Sequence, residues 1–297
     1  MAGNHVWAIA LLAAINACAA ATLHVDTNLV LVPVFVTDTH QRSITRLDRS
    51  AFRVFDGAAE RPVVQFSAED VPVSIGIVFD ASASMRGKLE KSREAVTRFL
   101  ETANPEDEFL LLSFQDRPQL AVPLTQDSRL IRERMQAMEP RGHTALLDAV
   151  YLALEQMKDA RHQRRAILIL SDGGDNESRF TVSELRTTMR EAGVWIYALG
   201  IYDARETFFA EEEQRGPSLL AAITEPSGGR QIPVFNLNEL PAAAAQIGGE
   251  LRNQYLLAYV APQPDGKYHR IQVKTTSRGL HISARPGYYA PASPAQK

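Results

Sequence analysis

Five oxygen-bearing side chains in this 297-residue sequence fall where they could share one cation. Asp80, Ser82 and Ser84 alternate immediately after an apolar run, residues 73–79, so a buried strand would deliver a carboxylate and two hydroxyls into the loop that follows. Asp172 follows a second apolar run, residues 166–170, after only Ser171, and Thr144 precedes a helical pattern that starts at Ala145. If both runs are parallel strands of one sheet, their carboxyl ends share an edge, which is where α/β sheets bind ligands. Two carboxylates and three hydroxyls suit a hard divalent cation, with hydroxyls bound directly, carboxylates holding coordinated waters, and a position left open for an incoming carboxylate. Taken singly, each residue has a plainer use, because Ser, Thr and Asp also cap helices and close strand-end turns. The joint role is favoured because all five fall where the expected topology converges.

That topology is read from the texture of the chain. From residue 71 onward short apolar strands alternate with amphipathic helices, which predicts an α/β fold built as a doubly wound, mostly parallel sheet. The strands are expected at 73–79, 109–114, 166–170, 194–199 and 231–235, and the helices at 88–102, 128–138, 145–159, 182–192, 217–224 and 237–253. Residues 119–122, flanked by Pro118 and Pro123, are expected as one antiparallel edge strand, since proline cannot donate to a central ladder. Strand-like runs stand on both sides of this unit, at 29–36, 51–55 and 63–66 before it and at 255–260, 268–275 and 279–284 after it. Neither flank is large enough to close a core alone, so the two are expected to pair into a small β-sandwich around the α/β unit. The domain reading is therefore 1–20 as a leader, 21–70 and 254–291 as the paired β segments, 71–253 as the α/β domain, and 292–297 as a tail.

Composition narrows the function. A hydrophobic content of 45% is that of a globular chain, and a net charge of −3 without a long basic cluster argues against nucleic acid as a partner. The densest basic stretch, 161–165, precedes a strand and is expected as a solvated loop. Residues 1–20 lack Asp, Glu, Lys and Arg, run apolar over 6–15 and end in Ala17, Cys18, Ala19 and Ala20, the pattern of a secretory signal. Cleavage after Ala19 or Ala20 would remove Cys18, the only cysteine, and with it any disulfide or thiolate metal site. Cys18 also offers a weaker reading as a lipid-anchored residue, poorly matched at Asn16. Past the leader no run is long enough for a transmembrane helix, so the expected location is secreted, periplasmic or at the cell envelope.

With these residues in place, the sequence resembles a von Willebrand factor type A domain over about residues 71–246. Asp80-Ala81-Ser82-Ala83-Ser84-Met85 resembles that family's metal-ion-dependent adhesion site triplet, Thr144 its second motif, and Asp172 in Leu170-Ser171-Asp172-Gly173 its third. The flanks, from Val32-Pro33-Val34 to Phe55-Asp56-Gly57 and from Asp265-Gly266-Lys267 to Gly287-Tyr288-Tyr289, resemble the von Willebrand A-related proteins of Acidobacteria. The resemblance implies a Rossmann-like fold and an exported bacterial adhesion module. It further implies magnesium, with manganese or calcium as alternatives, held by Ser82, Ser84 and Thr144 directly and by Asp80 and Asp172 through water. The partner it implies is a protein presenting Asp or Glu.

No Gly-x-Ser-x-Gly, Gly-x-x-x-x-Gly-Lys, Gly-x-Gly-x-x-Gly or His-Glu-x-x-His motif is present, so the expected answer to enzyme or not is no. Two other classes stay open. One is a hydrolase, either with His143 as base for Ser82 or Ser84, or with a metal-activated water and Asp116 or Asp175 as base. The other is a structural envelope protein. Residues 203–216, with Phe208, Phe209 and the acidic run 211–213, are expected to border the ligand surface. Asp175 and Glu177 are expected in a solvated turn, and Tyr255, Tyr259, Tyr288 and Tyr289 in β packing.

Overall fold

In the computed structural model, residues 29–40, 42–202, 211–262 and 264–291 are described. The leader, Phe208, Phe209, the acidic side chains at 211–213 and the tail at 292–297 lie outside the described residues. The chain opens with four strands, β1 (Leu29–Thr37), β2 (Phe52–Asp56), β3 (Ala59–Arg61) and β4 (Gln65–Ser67). The α/β unit follows with β5 (Val73–Asp80), α1 (Leu89–Leu100), β6 (Glu108–Phe114), β7 (Pro118–Thr125), α2 (Ser128–Gln136) and α3 (Leu146–Gln156). It continues through β8 (Arg164–Ser171), α4 (Val182–Glu191), β9 (Trp195–Ile201), α5 (Glu211–Thr224), β10 (Gln231–Val234) and α6 (Leu240–Arg252). Four strands close the chain, β11 (Tyr255–Val260), β12 (Tyr268–Thr275), β13 (His281–Ala284) and β14 (Gly287–Tyr289).

The central sheet has the order β10-β9-β8-β5-β6-β7. β5 runs parallel to both β6 and β8, and only β7 runs antiparallel, at the edge. Every residue of β5 is buried, as a strand covered on both faces requires. Its side chains alternate between two cores. Ile75, Ile77 and Phe79 pack with Phe99 of α1, Ile131 of α2 and Ile247 of α6, while Val78 packs with Val150 of α3, Leu185 of α4 and Leu220 of α5. After β5 the chain builds outward through β6 and β7, then crosses to the far side of β5 for β8, β9 and β10. That reversal puts a topological switch point at the carboxyl end of β5, where Asp80 stands.

The flanking strands form two antiparallel sheets, ordered β13-β1-β11-β4 and β14-β12-β2-β3. β1 pairs with β11, Leu29 opposite Val260 and Val34 opposite Tyr255, and β2 pairs with β12, so each sheet joins the beginning of the chain to its end. Val32, Val34, Val54, Leu257 and Tyr259 fill the space between the sheets. Phe35, on the other face of β1, is buried in the α/β core beside Ile75 and Trp195. Asp56 is buried in the sandwich, where Tyr259 and Tyr288 donate to Oδ2 at 3.0 and 3.2 Å and His269 Nδ1 lies 2.8 Å from Oδ1. One carboxylate thereby ties β2, β11, β12 and β14 together.

Three local expectations need correction. Helix α5 begins at Glu211, not at Pro217, which lies inside it; Gly216-Pro217 reads as a helix start because proline suits a first turn, where its missing N–H costs nothing. The stretch 161–165 is not wholly a solvated loop: Arg164 starts β8 and is buried, donating to Leu251 O and Gln254 Oε1. The strands β3 and β14 were not expected, since three residues are too short to show a period. Among the described residues no helix is long and apolar enough to cross a membrane.

Candidate metal centre

β5 ends on Asp80, which is fully buried at the switch point. Its Oδ1 accepts from the Ser82 N–H at 2.9 Å, turning the chain out of the strand, and its Oδ2 accepts from the Ser171 hydroxyl at 2.6 Å, at the end of neighbouring β8. The Ser82 and Ser84 hydroxyls lie 3.1 Å apart, the first buried and the second exposed, so the group opens to solvent on one side.

The loop carrying Thr144 is stitched to this turn by backbone bonds, from Ala83 N–H to Gly142 O at 3.2 Å and from Arg141 N–H to Ala81 O at 3.0 Å. Gly142 has φ 72°, and a Cβ there would lie 2.6 Å from Asp116 Oδ1, the oxygen that accepts from the His143 N–H at 2.7 Å. On the other side of the site, a Cβ added to Gly174 would lie 3.4 Å from Asp172 Oδ1 and 3.8 Å from Thr144 Oγ1. All five predicted residues thus gather at the carboxyl edge of the sheet.

The simpler explanation, that these hydroxyls are helix caps, fails locally. Ser82 stands at the N-cap of the short turn Ala83–Met85 and makes no side-chain cap bond. α3 is capped neither by Thr144 nor by its N-cap residue Ala145. Its first N–H groups, from Leu146 and Leu147, go to Asp175 Oδ1 at 2.9 and 3.4 Å, and the Thr144 N–H goes to Asn176 Oδ1 at 2.9 Å. Asp175 is therefore no solvated turn residue. It is half-buried, burial pushes its carboxyl up, and it also accepts from the Ser178 hydroxyl at 2.6 Å.

The electrostatics are those of two carboxylates crowded out of water. Burial pushes the Asp80 carboxyl up first, the negative charge of Asp172 adds to it, and the bonds from Ser171 and Ser82 oppose both, leaving it at about 7. Asp172 is 2% exposed and pairs with Lys88 Nζ at 3.2 Å, while its Oδ1 accepts from the Gly174 N–H at 3.2 Å. Lys88 and Ser171 are the site residues that sequence reasoning missed. The signal for Ser171 was its place between the strand end and Asp172; a lysine just after Gly87 carries no local sign of a partner 84 residues away. α5 crosses close behind this loop. A Cβ on Gly173 would lie 2.6 Å from Gly216 O, and one on Gly216 would run into the Asp172 carbonyl.

The donor set fits a hard cation bound mainly through neutral oxygens. Both oxygens of Asp80 already accept hydrogen bonds, which suits a carboxylate acting through water, whereas the three hydroxyls are spared from capping. Among the described residues there is no cluster of three or more His, Cys, Asp or Glu.

Comparison with known proteins bears on the fold that carries this site. Residues 75–174 match the family model of the von Willebrand factor type A domain. Human inter-alpha-trypsin inhibitor heavy chain H4 is 26% identical over 142 residues, which is 43% of this chain and 15% of that protein. An uncharacterised protein of Borreliella burgdorferi is 26% identical over 178 residues, 52% of each chain. The matches thus span about half or less of these relatives. A von Willebrand factor type A structure from Catenulispora acidiphila superposes with a TM-score of 0.51 at 14% identity, covering 82% of this chain and 74% of that one. Such a domain suggests a protein-interaction or adhesion module. The chain therefore carries a von Willebrand factor type A domain, whose matched residues include β5 from Ile75 onward and Asp80, Ser82, Ser84, Thr144 and Asp172.

Proposed function

We propose that this chain is an exported protein-binding module that takes up a carboxylate of a protein partner at a divalent metal, magnesium by preference. The observation that carries the reading is the pairing of Ser82 and Ser84 hydroxyls, released from capping, with two buried carboxylates at the switch point. Ser82, Ser84 and Thr144 would hold the ion directly, and Asp80 and Asp172 through water. The bound ion would supply an electrophilic open position for the partner's Asp or Glu. Lys88 offsets one carboxylate charge beside Asp172, and Ser171 orients Asp80. Ser84, exposed at the mouth, is the ligand nearest solvent.

Export rests on the leader pattern, and binding without turnover on the missing catalytic motifs. Asp116 accepts the His143 N–H and Asp175 the first N–H groups of α3, a positioning use for each carboxylate. The Ser82 hydroxyl faces Ser84, not an imidazole. Titration calorimetry of magnesium and manganese into the protein tests the site, with Ser84→Ala and Asp80→Ala expected to lose binding. Magnesium-dependent capture of a partner from envelope extract, lost in Asp80→Ala, tests the function. Absence of magnesium and manganese binding at millimolar concentration would refute the proposal, and turnover of an ester or phosphoester panel would replace it with the hydrolase reading.

A further inference from the structure

A cleft of about 390 Å³ separates the sandwich from the amino ends of the parallel strands, on the sheet edge opposite the metal centre. Its volume is within the range of small-molecule sites. Arg164 and Arg165, at the start of β8, and Arg285, in the turn between β13 and β14, line it. No Asp or Glu is among its lining residues. The opposite wall is apolar: Leu29, Leu31 and Pro33 project from the face of β1 that does not enter the sandwich core, with Leu256 beside them.

The three guanidinium groups are held by neutral oxygens. Arg164 donates to Val71 O, Leu251 O and Gln254 Oε1, Arg165 to His162 O and Ala160 O, and Arg285 to Gly287 O. Arg285 also lies 5.5 Å over the ring of Tyr288. None of the three forms an ion pair among the described residues, and the Nε–H of buried Arg164 has no hydrogen-bond partner there. The carboxylates that attract Arg164 from further off, Asp70 and Asp107, are held by Arg252, which itself repels Arg164. Burial works against the charge on Arg164 and Arg285 alike. Desolvated cations without a counter-charge are costly, and an entering anion would supply it.

We infer that this cleft binds a small amphipathic anion, its carboxylate or phosphate head on Arg165 and Arg285, with buried Arg164 adding positive charge behind them, and its apolar part on Leu31, Pro33 and Leu256. The site is independent of the metal centre. It is tested by calorimetry on the full chain in chelator, with decanoate, decyl phosphate and the neutral control decanol as probes. Saturable one-to-one binding of at least one anion, with none of decanol, is expected. Arg285→Gln and Arg165→Gln should each weaken it by about tenfold or more, as loss of a charge-assisted contact implies, and Asp80→Ala should leave it unchanged. The tighter of the two anions identifies the head group. Circular dichroism separates lost binding from lost fold, and Arg165→Gln, at a half-buried position, serves if Arg285→Gln does not fold. Failure of both anions to saturate at millimolar concentration, or wild-type affinity in both folded arginine variants, would overturn the inference.

Discussion

Replacing Asp80 by Asn should stabilise the metal-free protein while abolishing its response to magnesium. Burial and the Asp172 charge push the Asp80 carboxyl from 3.8 to about 7 in the folded chain. An acid whose pKa is raised by folding loses the protein stability as pH climbs from the unfolded to the folded value. At about 1.4 kcal/mol per pKa unit, holding Asp80 ionised at about pH 8 without metal costs about 4 kcal/mol. Asparagine keeps the shape without the charge. Its Oδ1 can still accept from the Ser82 N–H, and the Ser171 hydroxyl can rotate to accept from the new amide. The bonds from Ser82 and Ser171 are already counted in that cost; imperfect fit of the buried amide offsets part of the gain, leaving about 1–3 kcal/mol, or several degrees in Tm. Excess magnesium should raise the wild type by about 3 kcal/mol at a hundredfold over its Kd and leave Asp80→Asn unmoved. Thermal unfolding by circular dichroism, in chelator and in magnesium, reads both effects. If Asp80→Asn melts no higher than the wild type in chelator, the crowded-carboxylate reasoning is wrong; if magnesium raises both equally, the ion binds elsewhere.

Three further outcomes are expected. Gly216→Ala drives a Cβ into the Asp172 carbonyl, so α5 must move off the site loop; a loss of about 3 kcal/mol in chemical denaturation and weaker magnesium binding should follow, and an unchanged midpoint would deny the close approach. His269 is raised, chiefly by its bond to Asp56 and then by Asp265, against the opposing effect of burial, so its contribution to stability is complete below about pH 6.5 and fades as pH rises through its folded value. His269→Gln should flatten that part of the Tm against pH profile, and an unaltered profile would remove the Asp56 network from the account. Ending the chain at Asn253 deprives β1 and β2 of β11 and β12, so limited proteolysis should cut residues 29–70 rapidly; resistance equal to the full chain would show that the first β segment stands alone.

Much of the architecture is written locally. β5 is legible as an unbroken apolar run because both its faces are covered, and β7 as an edge strand because Pro118 and Pro123 bar it from the middle of a sheet. Less legible were elements whose boundaries depend on neighbours. α5 runs through Pro217 back to Glu211, and Arg164, inside a basic stretch, is drawn into the interior by the carbonyl of Leu251 and the amide of Gln254.

For the site, the sequence alone determined which oxygens stand at strand ends, because Asp80 closes its apolar run, Ser82, Ser84 and Asp172 follow theirs within a few residues, and a strand's direction carries them to one edge. Tertiary structure alone decided what those oxygens are bonded to. Asp175 takes over the cap that would have occupied Thr144, and Lys88 reaches Asp172 across 84 residues. The crowding that lifts Asp80 exists only once β5 and β8 lie side by side. The arginine cleft is further still from any motif, since its two walls belong to separate sheets. Side-chain type and strand order are properties of the chain, whereas burial, counter-charge and contact arise only when distant segments exclude water together.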